Sequence, residues 1–133
     1  MAEPEIVQIF LDKAEESLTG ARSEFVNRRY NNAVNRCYYA CFQVAIAALT
    51  REGIGPRGNR WGHAFVQAQF NGELINRRRV YVSDLRNVLN RAYALRQTAD
   101  YTSIKVSRDE VEYILGRTRE FVEQVQERGG RRA

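Results

Sequence analysis

Apolar side chains recur at steps of three and four residues along most of the chain, and this spacing predicts a series of amphipathic helices. The first pattern covers about residues 5–27 and the second about residues 31–51. The second is apolar around much of its circumference, so we expect it to be central, or buried on two sides by the core and by a partner chain. A polar break at Asn27-Arg28-Arg29 separates the two, and glycines from Gly53 to Gly58 end the second.

The helical pattern continues through the second half of the chain. A short third helix is predicted from Trp61 to Phe70, and Asn71-Gly72 after it is a turn signal. The apolar stripe of the fourth helix begins at Tyr81, and we expect this helix to end near Thr98.

The last helix is expected to begin at a capping box. Ser107 and Glu110 lie three residues apart, so the hydroxyl and the carboxylate can satisfy free N–H groups of the first turn reciprocally. The pair Gly129-Gly130 is expected to stop this helix. Residues 130–133 are then predicted to be a frayed basic tail.

No alternating strand pattern competes with these helices. A length of 133 residues corresponds to one domain, and 44% hydrophobic content is enough for a buried core. We therefore predict an all-α protein, with a single domain over residues 1–133. Its architecture is expected to be an antiparallel up-and-down bundle of four long helices plus a short extra helix.

The positive charge of the chain is almost entirely arginine. The net charge is +5, and the 21 basic residues are 19 arginines together with Lys13 and Lys105. Arginine favours planar, bidentate contacts with phosphate and carboxylate, so this bias favours RNA, a nucleotide or an acidic protein as partner. A genome whose codon usage favours arginine explains the same bias, so the charge alone does not identify the partner.

Composition argues against several classes of protein. The mean hydropathy is −0.54 and the apolar runs are short, so neither a transmembrane span nor a membrane partner is expected. The acidic, polar start is unlike a secretion signal, which favours a cytoplasmic protein. Cys37 and Cys41 share one face of the second helix and are interpreted as reduced core thiols. No second Cys or His pair accompanies them, so neither a metal site nor a cofactor is predicted.

The segment Arg96-Gln97-Thr98-Ala99-Asp100-Tyr101 carries the most suggestive chemistry. It places a guanidinium, a carboxylate and a phenol within six residues at the expected end of the fourth helix. Arginine binds phosphate through a planar fork, and the other two groups can move protons or orient a hydroxyl. Alternatively, Arg96 and Asp100 are an ordinary ion pair four residues apart, and Tyr101 is a core or interface aromatic.

His63 is the only histidine of the chain. It is either a structural residue among aromatic neighbours or a group that folds over beside Arg96 and supplies acid–base chemistry there. Since it belongs to a different helix, its distance from Arg96 tests the idea.

Further arginines and tyrosines are candidates for contacts with RNA or phosphate. Tyr39 follows another tyrosine, and the two must point to different faces of the second helix, one of them into the core. Arg36, three residues before Tyr39, could join Arg96 in a basic pocket or remain in solvent. The run Arg77-Arg78-Arg79 is either a solvated charge run or a patch that steers RNA towards the site.

The order of these features resembles the HEPN superfamily, small helical proteins that often lie beside a minimal nucleotidyltransferase. The resemblance covers about residues 6–125 and is carried by a second-helix signature, a following His–Phe pair, an RxxADY ending and a closing helix. These are Tyr30 to Phe42, His63 with Phe70, Arg96 to Tyr101, and Ser107 to Phe121.

The resemblance implies a homodimeric bundle with its motif near the dimer interface. Many members are metal-independent ribonucleases in which an arginine is followed four to six residues later by a histidine, and many act as toxins with an antitoxin partner. Arg96 matches the family arginine, whereas Tyr101, or Asp100 before it, occupies the histidine position. Tyrosine, with an ordinary pKa of about 10, moves protons poorly near neutral pH.

Three hypotheses follow. The chain is a metal-independent endoribonuclease toxin that engages RNA or a nucleotide through Arg96, Asp100, Tyr101 and His63 and is restrained by a nucleotidyltransferase. Alternatively, it is a non-catalytic subunit that binds such a nucleotidyltransferase or its substrate. A third hypothesis makes Tyr101 an acceptor for an adenylyl group from that partner.

Overall fold

A computed structural model describes the backbone of residues 3–132 and the side chains of residues 3–128. Five α-helices make up most of this part of the chain, with a π-helical continuation of α3 and one short 3₁₀ turn. They are α1 (Glu3–Val26), α2 (Tyr30–Arg51), α3 (His63–Gln69) with its π-helix (Phe70–Arg77), the 3₁₀ turn (Ser83–Leu85), α4 (Val88–Tyr101) and α5 (Arg108–Arg132). The described residues form a helical bundle without strands, which confirms the predicted all-α class.

Helix α2 is the centre of this bundle and contacts α1, α3, α4 and α5. Asn35 near its start hydrogen-bonds Asp100 at the end of α4, so these two helices are antiparallel. Arg51 at its end donates to the carbonyl of Val125 late in α5, so those two are parallel. Its central position explains why it is apolar on nearly every side, as the sequence predicted. Five alanines of α2 are fully buried: Ala33, Ala40, Ala45, Ala47 and Ala48.

The two cysteines lie in the core that α2 shares with α5. Both are buried free thiols, and the Cys41 sulfur lies 3.4 Å from the Thr118 hydroxyl. Burial raises the pKa of Cys37 and of Cys41 to about 12, although a hydrogen bond with Thr118 opposes the shift for both. At neutral pH both sulfurs are therefore protonated and pack as small apolar groups.

The third helix is longer than the sequence predicts. Asn71 and Gly72 do not turn the chain, because α3 continues through them as the π-helix. Phe70, Leu74 and Ile75 on this segment are buried in the core, and their packing outweighs the local turn preference of Asn-Gly. The predicted turn at this pair is wrong.

Both ends of α4 also differ from the prediction. The helix starts at Val88 and not near Tyr81, because Val80 and Tyr81 donate backbone hydrogen bonds to the Leu74 carbonyl and reverse the chain. It ends at Tyr101 and not near Thr98, so the Arg96–Tyr101 motif lies inside the helix.

Helix α5 begins as predicted and ends later. The Glu110 N–H donates to the Ser107 hydroxyl at 3.1 Å, and the Ser107 N–H donates to the Glu110 carboxylate at 3.0 Å, which confirms the capping box. The helix runs through Gly129-Gly130 to Arg132, so the predicted stop there is wrong. A glycine costs a helix interior about 1 kcal/mol, which weakens a helix without ending it. Of the predicted frayed tail, residues 130–132 are helical and Ala133 lies outside the described residues.

Among the described residues, no helix combines the length and the apolar character that crossing a membrane requires.

Candidate functional site

Arg96 and Asp100 form an ion pair on the last turns of α4. The Arg96 Nε lies 3.5 Å from Asp100 Oδ2, and the two side chains are 21% and 29% exposed. The Asn35 amide on α2 donates to the same carboxylate oxygen at 3.0 Å. The Arg96 Nε–H is shielded from solvent and makes no well-formed hydrogen bond, so its contact with Asp100 is electrostatic. Asp100 therefore attracts Arg96 without a well-formed hydrogen bond, whereas the hydrogen bond from Asn35 fixes the position of the Asp100 carboxylate.

Two adjacent tyrosines of α2 cover the guanidinium of Arg96. Its Cζ lies 5.0 Å from the ring centroid of Tyr38 and 5.3 Å from that of Tyr39. Both distances are within the range of cation–π attraction. Tyr38 is buried and Tyr39 is partly buried, which agrees with the expectation that one of the pair belongs to the core.

His63, the first residue of α3, reaches the same place from a third helix. Its Nδ1 lies 3.2 Å from the Tyr38 hydroxyl. Its ring stacks on Tyr93 of α4, with centroids 3.9 Å apart and planes 20° from parallel. Tyr38 thus contacts both His63 and Arg96, and together with Tyr39, Tyr93 and Asp100 these residues make up what we call the arginine–histidine cluster.

The surroundings set the protonation states in this cluster. Burial lowers the pKa of His63, a hydrogen bond with Asn90 opposes this, and the Arg96 charge lowers it further. Burial also raises the pKa of Tyr38 to about 12, against the attraction of Arg96 for the phenolate. At neutral pH the cluster therefore contains a neutral imidazole, a protonated phenol and a charged guanidinium.

Because His63 is the only histidine, its titration can be measured without assignment. We expect NMR of the imidazole protons to give a pKa below the ordinary value of about 6.5. Replacing Arg96 by alanine should raise this pKa, because a repelling positive charge is lost. Arg91→Ala, on an exposed part of the same helix, is the control and should leave it unchanged.

The same shift links His63 to stability. A histidine whose pKa is lowered on folding binds its proton more readily in the unfolded chain, so stability should fall as the pH falls below 6.5. A measured pKa at or above 6.5 would contradict this description of the cluster.

Two of the other predicted residues point away from this cluster. Tyr101 is 72% exposed, because one further residue turns its side chain about 100° around the helix from Asp100. Arg36 is likewise one residue beyond Asn35, and its stem lies beside Gly20 of α1. There it lines a surface cleft of about 530 Å³ with Lys13 and other residues of α1. The position of Arg36 thus agrees with the solvent-exposed alternative, on the side of α2 next to α1, and Asn35 takes the position that faces α4.

The run Arg77-Arg78-Arg79 lies away from the cluster and is partly neutralised. Glu73 accepts from Arg77 Nη2 at 2.8 Å and from Arg78 Nε at 3.2 Å. Arg78 also donates to the carbonyl of Glu52, just beyond the end of α2. At 1.5 Å per residue this carbonyl is about 20 Å along α2 from Tyr38. Arg79 is exposed and has a positive φ of 53°. These arginines are consequently poorly placed to bind a phosphate held by Arg96.

Sequence reasoning did not assign site roles to Asn35, Tyr38 and Tyr93. Two of them lie three residues before a member of the cluster, since Asn35 precedes Tyr38 and Tyr93 precedes Arg96 at that spacing. This helical spacing was the available signal, since residues three apart share a helix face. Among the side chains that the structure describes, no three His, Cys, Asp or Glu residues come together as a metal site.

Comparison with known proteins identifies the family. The family model for the HEPN domain matches residues 7–128, so the chain belongs to the HEPN family. A Methanocaldococcus jannaschii protein with the name "Putative toxin" is 33% identical over 122 residues, which are 91% of this chain and 87% of that protein. A second protein with that name from the same organism is 35% identical over 106 residues, 79% of this chain and 69% of that protein. A Thermotoga maritima protein named "UPF0332 protein" is 33% identical over 96 residues, 72% of this chain and 69% of that protein.

Proposed function

We propose that this chain is a metal-independent endoribonuclease whose reaction centre is the arginine–histidine cluster. The observation that carries the proposal is the contact of Tyr38 with both Arg96 and His63. This arrangement supplies a histidine near the family arginine, although the histidine position of the family motif holds Tyr101. The proposed function therefore depends on His63 from α3 as well as on the Arg96–Tyr101 motif of α4.

Arg96 binds the scissile phosphate in this proposal. Tyr38 and Tyr39 hold its guanidinium in place, and neither Nη group hydrogen-bonds another described residue. Guanidinium N–H groups aimed at a phosphate stabilise the negative charge that develops on its oxygens as the 2′-oxygen attacks. Asp100 positions this arginine, and Asn35 in turn positions Asp100.

His63 moves the proton. Its lowered pKa leaves the imidazole neutral near pH 7, so it can accept the proton of the 2′-hydroxyl. The 2′-oxygen then attacks phosphorus, and the bond to the 5′-oxygen of the next nucleotide breaks as His63 returns the proton to that oxygen. The products are a 2′,3′-cyclic phosphate and a free 5′-hydroxyl. In the reactive tautomer Nδ1–H donates to the Tyr38 hydroxyl, so Nε2 is the nitrogen that accepts the proton. A substrate hydroxyl then takes the place of the hydrogen bond with the exposed Asn90.

The biological setting proposed here is a toxin restrained by a nucleotidyltransferase antitoxin. Two relatives carry a toxin name, which supports this role without identifying a partner. We further propose a homodimer that brings two clusters together. Exposed apolar side chains next to the cluster support such an interface, since Tyr101 is 72% and Ile104 66% exposed.

RNA cleavage in the presence of EDTA tests the proposed activity. The purified wild-type protein should cut RNA and leave 2′,3′-cyclic phosphate ends. His63→Ala should reduce the rate about 10²- to 10⁴-fold, because general acid–base catalysis contributes that much. If His63→Ala cleaves as fast as the wild type, His63 has no part in the reaction.

A second function is favoured by two observations at the same site. Asp100 is already paired with Arg96, and the neighbouring Tyr101 is 72% exposed and so accessible to another protein. These two observations suit a non-catalytic subunit that binds a nucleotidyltransferase. Tyr101 would then contact this partner or accept an adenylyl group from it. Failure of the wild type to cleave total tRNA and mRNA would favour this function, and an adenylyl mass gain on co-expression would identify Tyr101 as the acceptor.

A further inference from the structure

A group of aromatic and basic side chains surrounds the start of α3, on either side of His63 in the chain. It consists of Arg57, Arg60, Trp61 and Phe65, and we call it the α3 platform. Trp61 precedes His63 by two residues and Phe65 follows it by two, so the platform adjoins the arginine–histidine cluster. Phe65 lies about 200° around α3 from His63, so its ring is on the opposite side of this helix.

The two rings of the platform are near neighbours and only partly buried. The centroids of Trp61 and Phe65 are 6.4 Å apart, with an angle of 48° between the planes. Trp61 packs against the main core and remains partly accessible to solvent. The Arg57 Cζ lies 5.6 Å from the centroid of Phe65, so its guanidinium borders the aromatic surface.

A tight turn holds the two arginines together. Gly58 has a positive φ of 63°, a conformation that glycine adopts without strain. The Arg60 N–H donates to the Arg57 carbonyl at 3.2 Å, which closes the turn. Both arginines are exposed, and within residues 3–128 neither makes an ion pair.

This charge state distinguishes the platform from the arginine run on the π-helix. Glu73 neutralises Arg77 and Arg78, whereas the charges of Arg57 and Arg60 are uncompensated. Aromatic side chains interleaved with unpaired arginines are the combination that proteins use for unpaired nucleotides, because bases stack on the rings and phosphates bind the cations.

We propose that the α3 platform binds single-stranded RNA next to the cleavage site, with an unpaired base stacked on Trp61 and the adjoining phosphates held by Arg57 and Arg60. The strand then continues past His63 to Arg96. This inference rests on the proposed RNA-directed function and specifies its substrate as single-stranded, since a base inside a duplex cannot leave its stack to meet an aromatic ring without unpairing.

The platform carries its own reporter, because Trp61 is the only tryptophan of the chain. Titration with 2′-O-methyl oligouridine, ten nucleotides long, should quench the tryptophan emission, and a duplex of the same length should quench it much less. The methyl group blocks attack by the 2′-oxygen, so binding is measured whether or not the protein cleaves RNA. Absence of quenching at saturating RNA, with binding confirmed by filter retention, would overturn the proposal.

Variants separate stacking from charge. Trp61→Ala should weaken binding about 5- to 150-fold, the range that corresponds to the loss of one stacked base. Trp61→Phe should retain most of the affinity, and circular dichroism establishes that both variants are folded. Equal affinity of the wild type and Trp61→Ala would rule out a base on this ring.

The paired replacement Arg57→Ala/Arg60→Ala should lower the slope of log affinity against log salt by about 1.4, because each phosphate contact with a single strand contributes about 0.7. The control pair Arg22→Ala/Arg119→Ala removes the same charge from exposed positions of α1 and α5 and should leave the slope nearly unchanged. Equal slopes for the two pairs would contradict a specific role of the platform.

These results are distinguishable from a test of the nuclease itself. Quenching without any cleavage of natural RNA supports the platform and rejects the endoribonuclease. Cleavage that depends on His63, without quenching or any effect of Trp61→Ala, rejects the platform and keeps the endoribonuclease.

Discussion

Replacing Arg96 by alanine is expected to lower RNA cleavage about 10²- to 10³-fold, the effect of removing one preorganised donor to a developing oxyanion. Arg96 is the guanidinium that the cluster holds between Tyr38, Tyr39 and Asp100. Its loss removes the group that binds the phosphate while His63 remains. The measurement is the rate of cleavage of a labelled RNA in EDTA, with substrate in excess and below saturation.

Two further variants make this result specific. Arg96→Lys keeps the charge but loses the planar fork and the flat contact with the tyrosines, so we expect it to recover only a small part of the activity. Arg91→Ala removes a charge from the same helix, where Arg91 contacts exposed Tyr113, and should cleave at the wild-type rate. An Arg96→Ala protein that is folded and fully active would remove Arg96 from the reaction.

Phe121→Ala is expected to destabilise the protein by about 3–5 kcal/mol, the range for deleting a buried aromatic side chain. Phe121 on α5 is fully buried, and its ring centroid lies 5.0 Å from that of Phe70 on the π-helix. The truncation leaves a cavity where α5 packs against the π-helix. Urea unfolding followed by circular dichroism gives the change in the free energy of unfolding.

The matched control is another aromatic residue of the same helix. Tyr113 is 50% exposed, so Tyr113→Ala should change stability by less than about 1 kcal/mol. If the two variants are equally stable, the packing of Phe121 on Phe70 does not hold α5 to the rest of the bundle.

The sequence predicted the long helices well because their apolar stripes are regular. The bounds of α1 and α2 agree with the predicted ranges to within a few residues, and the capping box at Ser107 marks the start of α5. Prediction failed between residues 70 and 88, where local and tertiary preferences conflict. Asn71-Gly72 favours a turn, whereas Phe70 and Leu74 on either side of it are core residues and keep the segment helical.

The candidate site was only partly predictable, since it is assembled from three helices. The ion pair of Arg96 with Asp100 follows from a spacing of four residues along one helix. The position of His63 beside Tyr38 of α2 and Tyr93 of α4 depends on the path of the loop after α2, which no local pattern specifies. Asn35 and Arg36 are adjacent in the sequence, and only the packing of α2 decides which of them faces Asp100. The catalytic roles of Arg96, Asp100, Tyr101 and His63 stay predictions.

The buried alanines of α2 have a consequence for the entropy of folding. Alanine has no side-chain torsion to immobilise, whereas each buried leucine or isoleucine loses about 0.5–1 kcal/mol of rotamer freedom and each methionine or glutamine up to about 2 kcal/mol. Five buried alanines of α2, the central helix, face its neighbouring helices. The helix that holds Tyr38 and Tyr39 against Arg96 is thus built from the residue type that loses the least freedom when the chain folds.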